Sequence, residues 1–173
     1  QYVGDDGQRL LQVGASRQIA VSDSGRDIFQ SIRTGNGTFS LAAASANTGT
    51  GVIGSGSVLD PTSWTGNNYQ IQFTSPTSYT VTNTTTAAVI GSYTYASNTE
   101  ITAVPGISFS IQGAPAAGDS FTVAPSTDQS IFTTLQNLMS AFSTNISGNA
   151  TAGAAVRNTI NAEMKNLDRT LEN

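Results

Sequence analysis

The chain has 173 residues, a net charge of −4, and neither cysteine nor histidine. That excludes disulfides, thiolate chemistry and Cys/His metal sites, and without histidine no Ser-His-Asp arrangement can form. With Lys165 the single lysine and a pI near 4.4, nothing can neutralise a run of phosphates or an anionic membrane surface.

Hydrophobic residues make up 38% of the chain, enough for a core, while charged residues are only 10%. Serine and threonine supply 21 and 24 positions and glycine 17, a composition of pleated surfaces and turns. So little charge fits an extracellular or assembly surface. No apolar stretch approaches the roughly 18 residues that span a bilayer. The start, Gln-Tyr-Val, has neither Met nor a signal-like segment and is expected of a fragment or a processed chain.

Arg9–Val13 and Arg17–Val21 flank Gly14-Ala15-Ser16, which predicts a hairpin. Asp23-Ser24-Gly25 closes it, and Asp27–Ile32 reads as a short helical turn. Phe39, Leu41 and Ala43 alternate with polar or small neighbours, residues 47–51 form a loop, and Val52-Ile53 and Val58-Leu59 are short apolar pieces. Tyr69, Ile71 and Phe73 alternate with Gln70, Gln72 and Thr74, the signature of a half-buried strand. Ser75-Pro76-Thr77 predicts a turn into Tyr79 and Val81 on an antiparallel neighbour. Ile107, Phe109 and Ile111 repeat the alternation, and Phe121–Val123 is the last strand.

Composition changes near residue 126. Ser126 and Gln129 stand at capping-box spacing, and Ile131, Phe132, Leu135, Leu138, Met139, Phe142 and Ile146 recur at helical intervals. Ser147-Gly148-Asn149 stops that helix. A second begins near Thr151, with Val156, Ile160, Met164, Leu167 and Leu171 forming a narrow packing or assembly seam. Arg157, Asn158, Asn161, Lys165, Asn166 and Asp168 fall largely off this stripe. The expected fold class is therefore α+β: a mainly antiparallel β domain over 1–125, then two amphipathic helices over 126–173.

Several segments in order resemble one family. Tyr2-Val3-Gly4-Asp5-Asp6-Gly7-Gln8-Arg9, then 25–29, 35–39, 47–51 and 56–73, are similar to the central region of the bacterial flagellar hook-filament junction protein, hook-associated protein 3. The passage from Gly106-Ile107-Ser108 through Gly118-Asp119-Ser120-Phe121-Thr122-Val123 resembles a signature shared more widely among flagellar axial proteins, and Ser130-Ile131-Phe132 continues it. The resemblance implies a secreted structural subunit of an extracellular adapter layer between hook and filament. Its expected partners are copies of itself, the hook-side junction protein, flagellin and an export chaperone, with no cofactor, no nucleic acid and no membrane. The β region would face outward, and the helices would line an inner coiled-coil layer. The family's long amino-terminal helices and its extreme carboxy-terminal helix are missing, so this piece alone is not expected to assemble normally.

The residues themselves point away from catalysis. The 11 acidic residues are scattered, and Asp5-Asp6 reads as an exposed pair rather than an acid-base dyad. Lys165 lies near Glu163 and Asp168 in a charge pattern expected on a solvated helix face. Asp23–Asp27 lacks the ligand series of a calcium loop, Gly35-Asn36-Gly37 and Gly49-Thr50-Gly51 lack a phosphate-loop context, and the sequons at Asn36, Asn83, Asn145 and Asn149 reflect threonine richness. Trp64, Tyr69, Phe73, Tyr79, Tyr93 and Tyr95 leave one alternative: a secreted adhesin or carbohydrate-binding module carried on a helical stalk.

Overall fold

The computed structural model describes residues 7, 9–22 and 24–172. The expectations on Tyr2–Asp6, Gln8 and Asp23, and on the side chain of Asp27, lie outside the described residues. In chain order the elements are β1 (Leu10–Gly14), β2 (Arg17–Ala20), α1 (Gly25–Gln30), β3 (Ile32–Arg33), β4 (Phe39–Ala43), β5 (Val52–Ile53) and β6 (Ser57–Val58). They continue as β7 (Tyr69–Ser75), β8 (Ser78–Asn83), β9 (Ala88–Thr94), β10 (Glu100–Ile101), β11 (Ile107–Gln112), β12 (Ser120–Pro125), β13 (Asp128–Gln129), α2 (Ile131–Ser143) and α3 (Ala150–Glu172). The fold is α+β, and its strand pairs are antiparallel.

A five-stranded sheet runs β4-β12-β7-β8-β9, and β11 pairs with β10, β5 and β6 in a second sheet. Alternation in the sequence becomes alternation in burial. Along β7, Tyr69, Ile71 and Phe73 point inward, and along β8, Tyr79 and Val81 do the same. These side chains join Phe39, Ile53, Ile107, Phe109, Ile111, Phe121 and Val123 in one apolar cluster between the sheets. The turn at Pro76-Thr77 sets the β7–β8 register, pairing Phe73 with Tyr79 and Ile71 with Val81.

In β9 the alternation is confined to its second half, where Tyr93 is half-buried between exposed Ser92 and Thr94, while residues 88–90 are all exposed. The reason is a bulge. Val81 pairs with Gly91 and Thr82 with Val89, leaving Ile90 as the extra residue and breaking the alternation. Because β9 is the outer strand of its sheet, Val89 and Ile90 stay exposed.

The loop at 47–51 is anchored rather than loose. Asp119, 2% exposed, accepts the backbone N–H of Thr48 (2.7 Å), Ala116 (2.9 Å) and Gly49 (3.1 Å). Only a glycine fits at position 49, because a Cβ there would strike the Asp119 carboxylate and the backbone of Ala114 and Ala116.

Candidate functional site

The two terminal helices carry the expected site. α2 starts four residues later than a box on Ser126 and Gln129 would place it, at Ile131 rather than Thr127. Ser130 is the cap, and its hydroxyl accepts the Phe132 N–H at 3.3 Å. The physical reason is that Asp128 and Gln129 are drawn into a two-residue ladder with Arg33 and Ile32. Ser126 donates instead to the Thr34 carbonyl, and Gln129 donates to Thr134 and Glu163. α3 is capped by Asn149, whose Oδ1 accepts the Ala152 N–H at 2.9 Å.

Of the expected α2 face, Leu138 is buried beside Thr134 and Ala141, and Ile131 is half-buried. Phe132, Leu135, Met139 and Phe142 face solvent, with Met139 73% and Phe142 72% exposed. These four recur at i, i+3, i+7 and i+10, one side of a helix with 3.6 residues per turn. Phe29 of α1 lies against Phe132, ring centroids 6.2 Å apart, and extends the same apolar patch. On α3, Val156, Ile160 and Leu167 are half-buried, whereas Met164 and Leu171 are exposed, Leu171 at 83%.

The side of α3 opposite that seam is the one that docks on the β sheets, and it does so with polar groups. The Ile53 N–H donates to Asn158 Oδ1 (2.8 Å), while Asn158 Nδ2 donates to the Gly51 carbonyl (3.0 Å). The Asn158 amide thus occupies the place of a neighbouring strand along β5. One and two turns on, Asn161 donates to the Ile53 carbonyl at 3.3 Å and Asn166 Oδ1 accepts the Gly35 N–H at 2.8 Å. Arg169 donates to the Asn36 carbonyl, and Thr151 to the Thr48 carbonyl at 2.7 Å.

Sequence reasoning missed this dock because asparagine reads as a surface residue. Asn158 and Asn166 are nevertheless 8% and 5% exposed. The signal was present in their spacing: Thr151, Asn158, Asn161 and Arg169 lie on one helical stripe. Glu163 needs the same correction. Its expected place was a solvated charge pattern, yet it is 7% exposed and accepts amide donors from Gln129, Asn137 and Asn166. Lys165 pairs with Asp168 at 3.6 Å on the surface, as its spacing suggests.

The described residues contain no group of three or more Asp or Glu able to hold a metal ion. Asp60 has its carboxyl held down to about 2 by hydrogen bonds from the hydroxyls of Ser63 and Thr62, and it serves an exposed turn. Among the described residues, no helix is long and apolar enough to cross a membrane. The aromatic residues weighed as a sugar-stacking platform turn inward. Trp64 packs on Phe39 and Tyr69, Tyr79 on Tyr93, and Phe73 on Tyr95. Tyr69, Phe73 and Tyr79 are all buried.

The chain is thus an antiparallel β module on which α3 docks, with α2 packed along α3. A family profile for the D2-like domain of flagellar hook-associated protein 1 matches residues 42–125. FlgL of Xanthomonas campestris superposes with a TM-score of 0.90 and 32% identity over 99% of this chain and 55% of its own. The flagellar junction protein FlgL of Legionella pneumophila superposes with a TM-score of 0.86 and 28% identity, over 99% of this chain and 56% of its own. No curated protein sequence matches. Over nearly its whole length the chain is therefore similar to FlgL, the flagellar hook-associated protein 3. It spans about 55% of the length of the FlgL structures it matches.

Proposed function

We propose that this chain is the β module and adjoining helical segment of a subunit that joins hook to filament, acting by self-assembly and not by catalysis. Its neighbours in that role are copies of itself, the hook-side junction protein and flagellin, outside the cell, after delivery by an export chaperone. The assembly surface is the α2 stripe of Phe132, Leu135, Met139 and Phe142, continued by the α3 seam of Val156, Ile160, Met164, Leu167 and Leu171. What carries the reading is that a FlgL-like fold leaves four large apolar side chains of α2 in water. An uncovered apolar stripe of that size marks an interaction surface.

Phe142→Asp in the full-length protein tests this reading. The side chain is 72% exposed, so stability should change by no more than about 0.5 kcal/mol. The junction should fail, leaving cells that secrete flagellin without retaining a filament. Normal swimming at ordinary expression overturns the assignment. Phe142 is a cleaner probe than half-buried Ile160, where an introduced charge also disturbs the fold.

Residues 1–125 form the outward-facing unit in this reading, and 126–173 the helical one. The apolar cluster lies wholly within residues 39–123, which supports independent folding of the first. A chain ending at residue 125 should keep a cooperative β-type circular dichroism transition. Only locally should it lose hydrogen-exchange protection, at the Gly35 and Ile53 amides released by Asn166 and Asn158 and along residues 32–34, which lose the β13 ladder and the Thr127 carbonyl. A disordered, rapidly digested product would show instead that the helices complete the core.

A further inference from the structure

Asn36-Gly37 is the one Asn-Gly step in the 34–39 loop, and the fold requires both residues. Gly37 has φ +86°, and a Cβ there would strike the Arg169 guanidinium. Asn36 Oδ1 accepts the N–H groups of Thr38 and Phe39, each at 3.0 Å, and its Nδ2 donates to the Gly56 carbonyl at 3.2 Å. Its own N–H donates to the Phe39 carbonyl at 3.1 Å, while its carbonyl accepts from Arg169. The Gly37 N–H is occupied as well, donating to the Thr34 carbonyl at 3.2 Å. Neither residue can be exchanged without loss, so the step persists although it is chemically labile.

We propose that Asn36 is a spontaneous deamidation site, closed while the 34–39 loop is docked on α3 and open when the loop leaves it. In the reaction the Gly37 nitrogen attacks Asn36 Cγ. The N–Cγ bond forms, the Cγ–Nδ2 bond breaks, and ammonia departs with the proton that the Gly37 nitrogen gives up. Water then opens the resulting succinimide at either carbonyl, leaving an aspartyl or an isoaspartyl residue at position 36, with no change of oxidation state. Glycine favours the attack because no side chain shields its nitrogen.

Docking opposes the reaction. The side-chain amide is held by three hydrogen bonds and the attacking nitrogen by a fourth. The latch is on α3, through Arg169 to the Asn36 carbonyl and Asn166 to the Gly35 N–H. Conversion damages the same latch. The aspartyl product sets an anionic oxygen against the Gly56 carbonyl in place of a donor. The isoaspartyl product adds a main-chain carbon between residues 36 and 37, displacing Gly37 from Arg169 and the chain entering β4.

The test is peptide mapping by mass spectrometry of this 173-residue chain, incubated at mildly alkaline pH with and without denaturing urea. Asn36 should be the fastest asparagine in urea and should react about tenfold or more slowly in the native protein, as an opening equilibrium dictates. Asn166→Ala, which removes the acceptor for the Gly35 N–H, should fall between the two. Equal rates in native and denatured protein overturn the proposal, as does a different asparagine leading in urea. An Asn166→Ala rate equal to wild type under native conditions overturns the role of α3. If that variant does not fold, the native-to-urea ratio still decides.

Discussion

Asp119→Ala should lower the stability of the chain by roughly 3–5 kcal/mol, read as a shifted urea midpoint at unchanged slope. The carboxylate is buried and takes the N–H groups of Thr48, Gly49 and Ala116. Its removal strands three donors in a space already too tight for a Cβ on Gly49. Charge-assisted bonds to backbone N–H are about twice as strong as neutral ones, so Asp119→Asn should cost less, about 1–3 kcal/mol. The asparagine variant keeps the shape but turns an NH2 toward N–H donors. A change under about 1 kcal/mol for the alanine variant would show that the 47–51 loop holds without this anchor.

The second large effect is expected at Phe73, 1% exposed at the meeting point of the aromatic residues. Its ring lies 5.1 Å from Tyr95, 5.6 Å from Tyr79 and 5.9 Å from Phe121, centroid to centroid. Phe73→Ala removes the shared partner of three rings and leaves a cavity bounded by both strands of the β7–β8 hairpin, at a cost of about 3–5 kcal/mol. Phe73→Leu retains most of the volume and should cost no more than about 1.5 kcal/mol. Val89→Ala, on the exposed β9 edge, is the control and should stay within about 0.5 kcal/mol. If Phe73→Ala matched that control, the centre of the core would have to lie elsewhere.

Both positions sit in segments whose local pattern was readable. Phe73 lies in the alternating run Tyr69-Gln70-Ile71-Gln72-Phe73, where period 2 alone assigns one face to the core. Asp119 lies in the Gly118-Asp119 bend before β12, which the sequence marks as a turn. What no local pattern states is that this aspartate reaches across to residues 48 and 49, because that contact joins segments 70 and 71 residues apart. β9 was only partly legible for a related reason: a bulge in the pairing with β8 displaces Ile90 and interrupts the alternation in the first half of the strand.

The sequence by itself determined the α+β class, the β1–β2 and β7–β8 hairpins and the existence of α2 and α3, because all of these follow from periodicity and turn chemistry over neighbouring residues. It also excluded disulfides and Cys/His metal sites by residue type alone. Tertiary structure decided which face of α3 meets the β sheets. Hydrophobic periodicity marks Val156 to Leu171 as the packing side, yet the surface presented to α3 near β5 and the 34–39 loop is unpaired backbone. Backbone N–H and C=O groups that leave water must be matched by donors and acceptors. An asparagine amide offers both in the geometry of a peptide group, so Asn158 and Asn166 were buried, while Met139, Phe142 and Leu171 remained outside.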